Sequence, residues 1–232
     1  MSETRSEQIF EKFCEMREIR VKRIAEGKAP TPDYDIFLSR NKIVVEVKEF
    51  DLNKKEIFAQ QEYLKTGFLF GSETPGDRVR KKISEAGPQI RQRTKHRFPG
   101  LLILFDQGFG FNHLDPYSIR VAMYGLDTIQ LAVPRDARRD PRIQEAKSGP
   151  KKKMTPDNNT SISAIGVLFY PERAVIELTV YHNAHAAIPL RPEFLQLYGI
   201  RQYRLGSAND GEIAQWEEIK GEILLKPNKA KY

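Results

Sequence analysis

Residues 31–48 gather the side chains best able to do chemistry: Asp33, Asp35, Glu46 and Lys48, set in two runs that read as β-strands. Ile43-Val44-Val45-Glu46-Val47-Lys48 is rich in β-branched residues, which favour a pleated strand. Alternation puts Val44, Glu46 and Lys48 on one face and Ile43, Val45 and Val47 on the other. At about 3.3 Å per residue, Glu46 and Lys48 stand roughly 6.6 Å apart along that face. The preceding strand runs over 33–38, with Asp33 and Asp35 on one face and Ile36 and Leu38 on the other. A turn at 39–42, pairing Ser39 with Lys42 or Leu38 with Ile43, sets Asp35 opposite Glu46 and Asp33 opposite Lys48. Directly opposed residues share a face, so acids and lysine converge. Clustered carboxylates repel one another unless a cation neutralises them, and hard oxygen donors suit Mg²⁺ or Mn²⁺. The competing reading is an edge hairpin with its charges on a wet face.

The spacing Pro32-Asp33 followed by Glu46-Val47-Lys48 resembles the PD-(D/E)xK nuclease superfamily. The resemblance covers roughly the first 110 residues and rests on few positions. It implies an α/β fold: a restriction-endonuclease-like core with a mixed central sheet flanked by helices. It implies a Mg²⁺-dependent endonuclease acting on DNA, with Mn²⁺ as substitute. Asp33 and Glu46 are then metal ligands, the Val47 carbonyl completes the metal shell, and Lys48 stands near the attacking water. Asp35 could act instead of Asp33 or beside it. The family's helix acid is assigned to Glu11, between the apolar Phe10 and Phe13; a solvated acidic flank of Glu7, Glu11 and Glu15 is the alternative. A catalytically silent nucleic-acid-binding protein of the same fold, or an RNA nuclease, are the other readings.

Glu-x-Lys alone is weak and recurs at Glu26, Glu145 and Glu218. Only Glu46 lies in a β-branched run after Pro-Asp. The second Thr-Pro-Asp, at 155–157, leads to no such strand, and Asp157 reads as a turn or cap residue.

The elements that must position these residues follow from periodicity. Residues 6–17 form a helix with Ile9, Phe10, Phe13 and Met16 as its apolar stripe, and 19–24 alternate as a strand. A helix over 54–70 precedes a second over 78–95, which Gly87-Pro88 should kink or split. The second carries Arg78, Arg80, Lys81, Lys82, Arg91 and Arg93, assigned to phosphate contact, and Gln89, which could help position substrate or water. The apolar run 101–106 suits a strand buried on both faces. A helix over 115–124 and a strand over 128–133 close the core, residues 1–133. Residues 134–153 read as a mobile basic loop. A C-terminal strand-and-helix extension, residues 154–232, packs on the same domain: strands at 161–170 and 174–181, helices at 192–198 and 212–225, and a basic tail. His182 and His185 lack Cys or a third His nearby and read as loop residues.

The net charge of +7 and pI of about 9.4 suit a phosphate backbone. Cys14 is the single cysteine, which excludes an internal disulfide and a cysteine zinc site. No apolar run reaches the ~18 residues that span a bilayer, so no membrane partner is expected. Residues 1–15 are polar, so a cytoplasmic location is the default. Cleavage of both strands would call for a homodimer.

Overall fold

A computed structural model describes residues 3–25, 27, 30–38, 40–68, 74–106, 112–136, 138–171, 175–209 and 212–220. Helix α1 (Arg5–Met16) opens on Thr4, whose side chain and that of Glu7 cap each other's backbone in a reciprocal box. Strands β1 (Arg20–Arg23), β2 (Tyr34–Leu38) and β3 (Asn41–Phe50) follow. Next come α2 (Lys54–Thr66), α3 (Asp77–Thr94), β4 (Gly100–Asp106) and α4 (Pro116–Tyr124). The chain continues through β5 (Asp127–Ala132), β6 (Arg142–Ser148), β7 (Ala164–Phe169) and β8 (Glu177–His182). It ends in α5 (Pro192–Gln196), β9 (Arg201–Leu205) and β10 (Trp216–Glu218).

Eight strands form one mixed sheet in the order β1-β2-β3-β4-β7-β8-β9-β10. β3, β4 and β7 are mutually parallel at its centre, and β2 is antiparallel to β3. The C-terminal strands therefore extend the same sheet. The two faces carry separate cores. Phe10 and Phe13 of α1 pack with Val45, Val47, Leu101 and Ile103 on one face. Ile83 and Ile90 of α3 pack with Leu102, Leu104 and Ile119 on the other. Alternation along β3 thus commits Glu46 and Lys48 to the α3 face. Among the described residues, no helix is long and apolar enough to cross a membrane.

Four expectations change. The hairpin closes with Leu38 opposite Asn41, so Asp35 opposes Val44 and the register carries Asp33 to Glu46. The turn is set by Arg40, held at φ 73°, and by the Asn41 side chain donating to the Leu38 carbonyl at 3.3 Å. The shift is by two in pairing, so the faces are kept and only the partners change. Second, α3 runs unbroken through Pro88. The missing N–H costs a single intrahelical bond, while Ile83, Ala86 and Ile90 are wholly buried on either side.

Third, residues 134–153 are not all loop. β6 pairs with β5 as a separate two-stranded ribbon, rooted by the buried Arg120, which donates to both Asp127 carboxylate oxygens at 2.9 and 2.6 Å. Its high charge masked the strand. Fourth, residues 216–218 are a strand, not part of a helix. Trp216 packs on Tyr181 with ring centroids 4.9 Å apart, and its Nε1 donates to the Pro116 carbonyl at 2.8 Å. Tertiary contact overrides an ambiguous short pattern. The basic tail, residues 69–70 of the second expected helix, and Glu26 and Lys28 lie outside the described residues.

Close approach of α3 to the sheet depends on Gly100. A Cβ there would lie 2.3 Å from Ile90 Cγ2 and 2.4 Å from the Ser161 carbonyl oxygen. The second neighbour is backbone and yields little. Gly100→Ala is expected to lower stability by about 1–3 kcal/mol, read as a lower urea midpoint with unchanged m-value.

Candidate functional site

The site is built where β2 ends and β3 continues past it. Tyr34 is the first residue of β2, opposite Val45. Asp33 therefore lies just beyond the ladder, beside Glu46 and Val47. Its Oδ2 accepts a hydrogen bond from the Val47 N–H at 2.7 Å, replacing the backbone bond that β2 no longer supplies. N–H and C=O of one strand residue point to the same side, so the Val47 carbonyl is turned toward this edge as well.

Glu46 is fully buried beneath α3, with Leu102 of β4 as its neighbour across the parallel pair. Its carboxyl meets the Asp33 backbone and the Lys48 ammonium rather than water. The nearby cation is Lys48, whose Nζ lies 2.5 Å from Oε1 while the side chain stays partly exposed. Burial first, and the charge of Asp33 second, push the Glu46 carboxyl up to about 7, against the pull of Lys48. Burial likewise raises the Asp33 carboxyl, opposed by the Val47 N–H and the Lys48 ammonium. Two buried carboxyls sharing one ammonium cost several kcal/mol. Here the arrangement would be relieved by a divalent cation at the Asp33–Glu46 edge.

The donor chemistry fits Mg²⁺ or Mn²⁺: two carboxylates and a backbone carbonyl, all hard oxygens. Mg²⁺ is commonly held by one or two carboxylates, with water and substrate phosphate completing its shell. Among the described residues, no group of three or more His, Cys, Asp or Glu side chains is gathered as a metal cage.

Asp33, Glu46, Val47 and Lys48 come together, through a register two residues from the expected one. Asp35 does not join them. It is buried and salt-bridged to Arg93 at 2.6 Å and Lys42 at 3.1 Å. Burial works to raise its carboxyl, but these two partners outweigh it and hold it below the usual range. Glu11 is on α1, across the sheet from α3, and pairs with Arg23 at 3.3 Å. The α1 acid that bears on Asp33 is Glu7, whose charge helps raise the Asp33 carboxyl. Its role in the capping box was the visible signal. The start of α1 is tied to β3 by the Ser6 N–H, which donates to Glu49 at 3.0 Å.

Gln89 contributes from α3. Its Nε2 donates to the Thr31 carbonyl at 3.3 Å, which tethers the segment leading to Asp33. Of the basic residues on α3, Arg78 pairs with Glu56 and donates to the Asp51 carbonyl at 2.6 Å. Lys82 lies 3.6 Å from Glu85. Arg80 is buried, bonded to Asp77 and to the Val121 and Pro75 carbonyls, and so is a structural cation. Lys81 is exposed, 4.0 Å from Glu85. Arg91 faces a surface groove.

Other reactive groups are structural. Cys14 is buried, and burial pushes its thiol up to about 12. His182 Nε2 meets Gln202 Oε1 at 2.9 Å. Thr155 and Asn158 close a turn containing Asp157.

No family model matches the chain, and no curated protein or solved structure shows significant similarity to it.

The raised Glu46 carboxyl has a definite sign in stability. Its protonated form is favoured in the folded state. The resulting stabilisation is complete below the ordinary value near 4.5 and is lost as pH rises through about 7. In EDTA at pH 8, Glu46→Gln is therefore expected to melt higher than wild type by several degrees, at about 2–4 °C per kcal/mol. The difference should vanish near pH 5. Thermal melts across pH 5–8 check this, and equal melting temperatures throughout would place the carboxyl in water.

Proposed function

We propose that this chain is a metal-dependent nuclease that hydrolyses DNA phosphodiester bonds. The carrying observation is the buried Glu46 carboxyl, set beside the Asp33 carboxyl and contacted by the Lys48 ammonium. The order α1, β1, β2, β3, then helices α2 and α3 and parallel strand β4 supports the restriction-endonuclease-like reading that the PD-(D/E)xK resemblance implies. The net charge of +7 suits a polyanionic substrate.

Asp33, Glu46 and the Val47 carbonyl would hold the cation. When bound, Mg²⁺ supplies Lewis acidity toward a phosphoryl oxygen and lowers the pKa of bound water. The chain's own groups do the rest. The Val47 N–H fixes the Asp33 carboxylate by its 2.7 Å bond. Gln89 holds the Thr31 carbonyl, and with it the approach to Asp33. The apolar surroundings of Leu102 and α3 keep water from Glu46, which favours its protonated form without a cation and would strengthen its attraction to a bound one. Lys48, partly exposed, presents an ammonium at the solvent edge of the pair. There it can orient the attacking water and oppose the negative charge that grows on the phosphoryl oxygens.

Lys48→Ala should lower nicking of supercoiled DNA in Mg²⁺ by about 10²–10³-fold, the usual cost of removing one charge-stabilising donor, while Mn²⁺ binding by calorimetry persists. Glu46→Ala should lose both. Full cleavage by the Lys48 variant refutes the assignment. Mn²⁺ binding without cleavage of DNA or RNA by wild type favours a silent nuclease-fold binding protein, and preferential cleavage of RNA makes the substrate RNA.

A further inference from the structure

The basic residues of α3 do not form one surface. At about 100° per residue, Arg78, Lys82, Gln89 and Arg93 fall on one flank, and Arg80, Ser84 and Arg91 fall on the other. The buried stripe of Val79, Ile83, Ala86 and Ile90 separates them. The first flank faces the carboxylate site, and its cations are held by Glu56, Glu85 and Asp35. The second faces residues 151–161 across two cavities of about 330 and 530 Å³. Both cavities are lined by Ser84 and Lys153, so they form one continuous groove along the outside of α3.

Charge in this groove is lopsided. Six Lys or Arg side chains line it against two carboxylates, Asp77 and Asp157. Asp77 is already taken by Arg80 at 2.6 Å, with Lys151 at 3.7 Å. The excess positive charge comes from two elements far apart in sequence: α3 and the Lys151-Lys152-Lys153 run. The fold has brought them face to face. The lining is polar, basic and concave, a shape that fits a narrow polyanionic strand better than a flat anionic membrane.

We propose that the groove between α3 and residues 151–161 is a track for the sugar-phosphate backbone of a nucleic acid, away from the reacting phosphate. The choice of nucleic acid as occupant rests on the nuclease reading. Ten residues separate Lys81 from Arg91, or about 15 Å along the helix, a length that spans more than one backbone phosphate. Asn158 and Thr160 on the facing wall supply neutral polar groups between the cations, as backbone contacts commonly use. The track reads no base edges, so its affinity is sequence-independent and salt-dependent.

The test is binding in EDTA, where cleavage plays no part. Fluorescence polarisation with labelled 20-nucleotide single-stranded and duplex DNA compares wild type with a triple variant, Lys151→Ala, Lys152→Ala and Lys153→Ala. A control variant, Arg135→Ala, Arg138→Ala and Arg139→Ala, removes equal charge from the β5–β6 ribbon. The groove variant should bind at least ten-fold more weakly at 100 mM salt. Its slope of log affinity against log salt should be shallower by about 2, with roughly 0.7–0.9 lost per phosphate contact. Its melting temperature should be unchanged, and the control should bind like wild type. Equal weakening in both variants, or none in the groove variant, overturns the proposal. Equal loss on polyglutamate or anionic vesicles replaces nucleic acid with a general polyanion. Because cleavage is absent from this assay, loss of the nuclease reading through Lys48→Ala would leave its outcome distinct.

Discussion

The structure turns on one carboxylate buried where a carboxylate should not be. Glu46 sits in the central sheet under α3, beside a second acid and the Lys48 ammonium. An ordinary core would place a Val at this position, as it does at Val44 two residues earlier on the same face. Retaining an acid there costs stability, a cost that a bound divalent cation would offset under the proposed function. The end of β2 just before Asp33, the Val47 N–H that anchors Asp33, and the partial exposure of Lys48 all have meaning relative to this burial. Local destabilisation of this kind is a common accompaniment of functional sites.

Helix α3 mediates between that site and the rest of the surface. Its buried stripe seals the face that holds Glu46. One flank reaches the β2–β3 hairpin through Gln89 and Arg93, and the other opens onto a basic groove. Arg93 and Lys42 neutralise Asp35, which keeps a third negative charge of the hairpin from adding to the repulsion between Asp33 and Glu46. The same Arg93–Asp35 pair docks the end of α3 onto β2. Charge balance and helix placement are therefore one contact.

Much of this was legible in the chain. The β-branched run around Glu46 identified β3, and period-two alternation put Glu46 and Lys48 on one face whatever the partner strand. The apolar run at 101–106 identified β4 as a strand buried on both sides. Capping signals at Asp115-Pro116 identified the start of α4. Misreadings arose where local pattern was weak or where distance in sequence mattered. The ribbon strand β6 carries too much charge to read as a strand. The Trp216 segment has apolar spacing compatible with a helix but pairs with β9 because Tyr181 and Tyr124 offer it an aromatic surface. Asp35 and Glu11 have the right chemistry for a ligand, yet each has a basic partner that only folding brings near.

The amino-acid sequence by itself determined the candidate reacting groups and their common face, because alternation along a strand is a property of covalent geometry and needs no partner. It did not determine which acid lies opposite which. A turn closing one residue earlier moves the pairing by two and exchanges Asp35 for Asp33 beside Glu46, and that choice is made by the left-handed Arg40 and the packing of both strands. Burial, the raised carboxyls of Asp33 and Glu46 and the meeting of α3 with Lys151–Lys153 were decided by tertiary structure alone. They arise from contacts between segments many residues apart, and no local preference encodes the dielectric or the charge that a side chain meets after folding.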